Sequence, residues 1–533
     1  MAQQDKVNIW IPFSAIILLF FINNWAIPLW NADEAAYAGI SLEMLRSGDF
    51  LNQDFFWSNI HRKPPLHFWI TALSMTIFGV NEWAVRFFSS VFILISGWYI
   101  FIWVTHLYKQ EIGVICALIF CTNFLCLVLG KIAFTDATLM VAYIIGGISL
   151  YNVHSGQRSS LKIISFWAAI AFGLLVKGPQ IIIPFGTLVL LMTVLPMDRK
   201  IILKLKPWFY LPLSLVPLFI WGYFSWQTDD GEFVKWLLDW YILRRAEGVL
   251  GQTGPPGYYL VVLIAVFLFY FVGFWGVLRK IVRRNFKLRS IEGFLILWAL
   301  SAWLPYEFIP SKLPHYIAGA IPPLSILTGL SLYFIDERTW KSTWLRFGVF
   351  LQFVLWGIVA SVMVYVIQEQ FGFYGLFITI LTALVPIISL VIYVIQIERQ
   401  KFRPAFRSLS WGAIIFGVMM FLPLMNVMMP IWDCPRKMGK AAGFEMKDGD
   451  KILLAKREVH MISIPFYLRK NGPVREVWSN EEAQTHIDND DFKIVVGDSV
   501  LSHSLKESYS SKRFRCFDIN DQSYKDFYLM TKR

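Results

Sequence analysis

The stretch Phe166-Trp167-Ala168-Ala169-Ile170-Ala171-Phe172-Gly173-Leu174-Leu175-Val176-Lys177-Gly178-Pro179-Gln180-Ile181-Ile182-Ile183-Pro184 is apolar except where Lys177 to Gln180 interrupt it. A bilayer-spanning helix takes about 20 apolar residues. Read as one run, residues 163–197 cross a membrane once. Divided at Lys177-Gly178-Pro179, they cross twice, and every later segment changes side. Glycine and proline side by side favour a turn over a helix interior.

Working outward, apolar runs of spanning character lie near 9–29, 84–104, 112–130, 137–151, 163–176, 180–197, 207–227, 257–278, 291–308, 315–335, 347–367, 371–397 and 408–429, thirteen with the run divided. Loop charges support the division. With the N-terminus inside, the cytoplasmic loops carry twenty Lys and Arg, including Arg199-Lys200, Arg283-Arg284 and Arg399 to Arg407. The opposite loops are longer yet carry ten. Cytoplasmic loops are the basic ones, so residues 430–533 fall outside.

Composition agrees. The chain is 56% hydrophobic, 17% aromatic and only 16% charged, with a mean hydropathy of +0.53. Soluble domains carry about 25% charged residues. The net charge of +12 sits in short loops between apolar runs, which reads as topology and excludes a nucleic-acid partner.

Sorting by side separates bland loops from distinctive ones. The cytoplasmic loops are merely basic. The outside loops hold Asn31-Ala32-Asp33-Glu34, His61-Arg62-Lys63-Pro64-Pro65, Lys131 to Asp136, Lys177-Gly178-Pro179, Arg244 and Arg245 within 228–256, and Ser311-Lys312-Leu313-Pro314-His315-Tyr316. Loops held by a rigid scaffold commonly build active sites. In the long first loop, 30–83, Tyr37, Ile40 and Leu45 predict an amphipathic interfacial helix over 32–46, stopped at Gly48, and 66–78 predicts a second. Asn31 would cap the first helix, and Asp33 and Glu34 would suit its dipole. Capping alone leaves the basic cluster at 61–63 unexplained.

Asp33-Glu34-Ala35-Ala36-Tyr37-Ala38, Lys63-Pro64-Pro65-Leu66-His67-Phe68-Trp69, Phe78-Gly79-Val80-Asn81-Glu82-Trp83-Ala84-Val85-Arg86, Phe134-Thr135-Asp136, Val176-Lys177-Gly178-Pro179 and Ser311 to Tyr316 resemble, in that order and spacing, the bacterial aminoarabinose transferases of lipid A. These stand with the dolichyl-phosphate-mannose–protein mannosyltransferases among the GT-C membrane glycosyltransferases. The resemblance covers about residues 10–330. It implies a polytopic α-helical GT-C fold in residues 1–429 in the inner membrane; residues 430–533, beyond the resemblance, read by their charge and strand-length runs as a small extracytoplasmic (periplasmic) α/β domain. It also implies transfer of a sugar from a polyprenyl-phosphate donor to a hydroxyl of a lipid, glycan or protein acceptor. No P-loop or dinucleotide fingerprint is present in the sequence.

Such a transfer needs a carboxylate to take the acceptor's proton and cations to offset charge on the departing lipid phosphate. The resemblance assigns the base to Asp33, with Glu34 in reserve, and the phosphate contacts to Lys63 and Arg244. Arg245 is adjacent, and the register between the two is open. The alternative for both arginines is a basic pair facing lipid headgroups. His61, Arg62, Asp136, Lys177, Lys312, His315 and Tyr316 would line the substrate cavity, with Asp136 and Lys177 read first as an ion pair. The 311–316 segment could equally be a proline-shaped re-entry. The aminoarabinose transferases carry a metal-holding Glu before the lysine and a His three positions before the arginine. Here Arg62 and Tyr241 stand there. Arginine offers no lone pair, so no metal or other cofactor is carried over, and the more cationic site disfavours an aminosugar donor.

In the last hundred residues apolar runs shrink to strand length, at Lys451 to Leu454 and Phe492 to Val496, with a helix possible over Met461 to Leu468. This part either shapes acceptor access or serves as a stabilising cap. Cys434 and Cys516 lie here, and whether they join is open. Cys116, Cys121 and Cys126 read as core fillers in an apolar span. The rival function is a polytopic transporter or lipid flippase, which would place ionisable residues mid-membrane or show internal repeats. The predicted spans do neither. An envelope-assembly scaffold would not need the one-sided cluster.

Overall fold

Polar residues at the ends of the apolar helices fix where the chain turns. The computed structural model describes residues 9–30, 33–53, 62–157, 159–239, 253–455, 462–468, 472–518 and 523–533. The chain divides into two compact units. The first is Met1–Ile22, Ser89–Lys131 and Thr135–Leu424; the second is Asn23–Phe88, Ile132–Phe134 and Met425–Arg533. A simple division at 429/430 therefore misses that the long first loop clusters with the C-terminal residues.

Among the described residues eight helical stretches, most of them wholly in the first unit, are long and apolar enough to cross a membrane, or nine if the pair Tyr258–Val266 and Leu268–Val282, bent by 74°, is one span. Ser160–Val194 is one of the eight, but ion pairs show that it folds back on itself. The helix Thr135–His154 provides the ruler. At its start Asp136 binds Lys177 at 2.7 Å, and at its end His154 meets Asp198 at 3.1 Å. Residues 177 and 198 thus lie at opposite ends of a helix about 30 Å long. The chain must turn at Lys177 and run back, and Gly178 supplies the turn with φ +64°. The same logic applies to Thr343–Glu398, broken at Gly372 with φ +62°. The indole of Trp340, before its start, donates to Glu398 at its end (2.8 Å), so the two halves form a hairpin.

Further contacts gather the basic loops on one face of this unit. Arg289 donates to the Pro196 carbonyl (2.9 Å), Trp275 to that of Trp344 (3.0 Å), and Tyr333 to Glu111 (3.3 Å). On this face, burial would raise the Asp198 carboxyl, but hydrogen bonds from Lys204 and His154, with their charges, hold it below the usual range. The helix predicted at 137–151 extends over 135–154. Its apolar run is short because its ends are polar and paired.

In the second unit, the helix Asp33–Ser47 ends at Gly48, φ +75°. It is not amphipathic as predicted. Glu34 through Leu42 are all buried, because Ala35, Ala36, Ala38 and Gly39 let neighbours approach on every side. Those neighbours include Phe68 and Met75 of the helix Leu66–Phe78, and Ile462, Phe466 and Tyr467. The Leu66–Phe78 helix keeps an exposed apolar face at Leu73 and Ile77, as an interfacial helix does.

The C-terminal residues form a five-stranded sheet of order β2-β1-β3-β5-β4, with β1 at Lys451–Ala455, β2 at Val474–Val477, β3 at Phe492–Gly497, β4 at Tyr509–Asp518 and β5 at Ser523–Lys532. β1 pairs in parallel with β2 and β3, while β5 is antiparallel to β3 and β4. Residues 452–455 of β1 and 494–497 of β3 are buried because both faces of the sheet are covered. The predicted 461–468 helix is only Ile464–Tyr467. Cys434, opening the helix Cys434–Glu445, is bonded to Cys516 of β4.

Candidate functional site

Asp33 and Glu34 are adjacent in the first turn of one helix, so their side chains point about 100° apart. The consequence is two different environments. Glu34 is fully buried. Its Oε1 accepts from Arg86 Nε (2.8 Å) and the Ala133 amide (3.0 Å), and its Oε2 from Arg86 Nη2 (2.8 Å) and the Trp30 amide (2.7 Å). A carboxylate has about four acceptor sites, and all four are used. Asp33 is only partly buried. Its Oδ1 accepts from the Tyr37 hydroxyl at 3.4 Å, one helical turn along, where i and i+4 side chains meet.

Lys63 reaches the same phenol. Its ammonium donates to Tyr37 Oη and lies 4.5 Å from the ring centroid. Tyr37 therefore bridges the carboxylate of Asp33 and the cation of Lys63. Gln53 pins the lysine from behind. Its Oε1 accepts from the Lys63 amide (2.9 Å), and its Nε2 donates to the Lys63 carbonyl. The Gln53 carbonyl in turn accepts from Arg62 Nε (2.8 Å). Pro64 and Pro65 stiffen the chain directly after. The rings of His67 and Phe68 each meet Tyr37 edge-on at 5.6 Å.

Arg62 is buried, with a donor committed to backbone, so residue 62 does not suit a cation. Among the described residues no three His, Cys, Asp or Glu side chains gather to hold a metal. His61, Tyr241, Arg244 and Arg245 lie outside the described residues.

The membrane unit holds its own polar cluster. Lys177 Nζ donates to both oxygens of Asp136 at 2.7 Å, with both side chains almost wholly buried. His315 Nε2 lies 3.8 Å from Asp136 Oδ2, and the ring of Tyr316 stands 5.7 Å from the Lys177 ammonium. Lys312 Nζ donates to the carbonyls of Tyr306 (3.1 Å) and Glu307 (2.8 Å) and lies 5.3 Å from the Tyr259 ring centroid. Asp136, Lys177, Lys312, His315 and Tyr316 thus sit on one end of this unit. The Lys312 ammonium is spent on holding the backbone turn.

Sequence reasoning gave no role to Tyr37, Gln53, Arg86 or Glu307. Tyr37 carried a signal, its i+4 spacing from Asp33. Arg86 closes one of the motifs that carry the resemblance, but nothing local names its distant partner, and Gln53, which grips backbone groups, carried no signal.

Residues 62–226 match the family model described as dolichyl-phosphate-mannose-protein mannosyltransferase. The undecaprenyl phosphate-alpha-4-amino-4-deoxy-L-arabinose arabinosyl transferase of Wigglesworthia glossinidia brevipalpis is 25% identical over 386 residues, spanning 70% of this chain and 67% of that protein. The transferase of the same name from Edwardsiella ictaluri is 27% identical over 61% of this chain and 59% of its own length. The crystal structure of ArnT from Cupriavidus metallidurans in the apo state superposes with a TM-score of 0.76 at 18% identity, covering 98% of this chain and 97% of that one. The form of that protein bound to undecaprenyl phosphate gives the same score. The chain resembles the aminoarabinose transferases and protein mannosyltransferases in sequence and has the polytopic GT-C membrane fold.

Proposed function

We propose that this chain is a polyprenyl-phosphate-sugar-dependent glycosyltransferase of the cell inner membrane. The observation that carries the reading is the array Asp33–Tyr37–Lys63, which holds a partly exposed carboxylate and a buried ammonium on one phenol. The acceptor hydroxyl attacks the anomeric carbon, forming the new glycosidic C–O bond. The bond from that carbon to the lipid phosphate breaks, and its electrons leave with the phosphate. Asp33 takes the hydroxyl proton. Lys63 offsets the charge gathering on the polyprenyl phosphate.

Glu34 is a positioning residue, since its oxygens are saturated by Arg86 and two amides. Asp136 with Lys177 pins two helices, and His315 and Tyr316 border that pair. Arg244 or Arg245 supplies a second phosphate contact by resemblance alone. The donor sugar is a neutral hexose or pentose, because Arg62 and Lys63 add positive charge that a cationic sugar would meet at a cost. The acceptor is a lipid, glycan or protein hydroxyl outside the cytoplasm. Thirteen spans, with the N-terminus cytoplasmic and the C-terminal domain periplasmic, suit the gathering of the basic loops on one face.

Mass spectrometry of envelope lipids and glycans from a strain lacking the gene tests this. One sugar should disappear from one envelope component. It should return with the wild-type chain and not with Asp33→Asn. An unchanged profile overturns the reading.

A further inference from the structure

In the membrane unit, three helices start at the face that carries the basic loops: Trp10–Phe21, Gln110–Thr122 and Phe402–Met419. Between them lies a half-open crevice of about 670 Å³, within the roughly 300–1,000 Å³ usual for ligand sites. Its lining runs from Glu111 to Leu118 on one wall and from Lys401 to Ile414 on the other. Thirteen residues of helix rise about 20 Å, so the crevice extends from headgroup level into the hydrocarbon. The deep wall is aliphatic and aromatic, with Leu118, Phe406 and Ile414 buried. Trp411 stands 39% exposed at the side, in the manner of interfacial tryptophans.

The polar rim carries a charge imbalance. Glu111 is answered by Lys109 (3.7 Å) and by the Tyr333 hydroxyl (3.3 Å). Lys401 and Arg407, both exposed, form no ion pair among the described residues. Two cations, Lys401 and Arg407, therefore face the mouth of an apolar groove. We infer that this crevice binds one anionic phospholipid of the adjoining leaflet, its phosphate between Lys401 and Arg407 and an acyl chain along the groove toward Ile414. This site is independent of the proposed transfer reaction, and the two can fail separately.

The test is native mass spectrometry of the full chain purified in mild detergent, with phosphatidylglycerol and phosphatidylethanolamine supplied in equal amounts. The wild type should retain one phosphatidylglycerol in preference to phosphatidylethanolamine. Lys401→Gln and Arg407→Gln should each reduce that retention about fivefold, the usual contribution of one basic residue to anionic lipid. Thermal unfolding of both variants should match wild type, since neither side chain is buried. Equal retention of the two lipids, or wild-type selectivity in both variants, would mean ordinary annular lipid and would overturn the site.

Discussion

Arg86 and Glu34 form a buried bidentate pair: Nε and Nη2 of the arginine meet the two carboxylate oxygens at 2.8 Å each, with side chains 3% and 0% exposed. The remaining guanidinium donors go to the carbonyls of Asn24 (3.0 Å), Ile27 (2.7 Å) and Pro28 (2.8 Å). One arginine thus ties the entry to the Asp33–Ser47 helix onto the start of Glu82–Leu107. A buried pair of this kind specifies geometry more than it adds stability.

Removing one partner strands the other. Arg86→Ala should destabilise the second unit by about 3–5 kcal/mol, read as a lower thermal midpoint in detergent and reduced yield of folded protein. Glu34→Gln should act in the same direction. A variant Arg86→Ala with wild-type stability would show that the pair is not structural.

Asp33→Asn separates chemistry from folding. It keeps the side chain's shape and its acceptor oxygen toward Tyr37, but it cannot take a proton. General-base assistance contributes about 10²–10⁴-fold in rate, so turnover should fall by that factor while thermal stability stays at wild type. If Asp33→Asn keeps full turnover, the motif is a helix cap and the base lies elsewhere.

Tyr37 links the carboxylate and the ammonium, so Tyr37→Phe should disturb both without emptying the core. A hydrogen bond to a charged group contributes about 1.5–3 kcal/mol, which corresponds to a loss of roughly 10- to 150-fold. Lys63→Ala should instead weaken binding of free polyprenyl phosphate directly. Isothermal titration with undecaprenyl phosphate distinguishes the two. Normal affinity in Lys63→Ala would remove the phosphate assignment.

The sequence was most legible where physics is local. Hydropathy marked the helices, and Lys177-Gly178-Pro179 marked the turn that two ion pairs now locate. Asp136 and Lys177 do pair, as their opposite charges in neighbouring loops suggested. Long-range partners were silent. Nothing near Gln53 shows that it grips residue 63, and nothing near Arg86 points to residue 34. The alternation of Tyr37, Ile40 and Leu45 suggested one buried face, but small residues on the other faces allowed burial all round, a tertiary effect no window of sequence contains. The hairpin of β4 and β5 escaped notice because its edge strand is polar, with Lys512, Arg513 and Arg515, as exposed edges commonly are.

Topology follows from the basic loops. If their common face is cytoplasmic, a reporter fused after Arg533 is active only outside, and one placed in the 283–289 loop only inside. Reporter activity on the same side at both positions would refute the odd number of crossings between them, whereas cytoplasmic activity after Arg533 with the 283–289 loop outside would overturn the division at Lys177.

The disulfide offers an independent check on the same side. Cys434 and Cys516 are 82 residues apart in sequence with Cα atoms 5.5 Å apart, an ordinary separation for a bonded pair. Disulfides persist in oxidising compartments and are rare in the cytosol. Cys116, Cys121 and Cys126 are buried in the membrane unit. Protein denatured without reductant should therefore take up maleimide at three thiols, and at five after reduction. Closing so long a loop typically contributes about 2–4 kcal/mol, so Cys434→Ser should lower the unfolding midpoint of the C-terminal sheet. Double replacement Cys434→Ser/Cys516→Ser should cost no more than either single change, because one bond is lost in each case. Five reactive thiols before reduction would place these cysteines in a reducing compartment and argue against a periplasmic C-terminal domain.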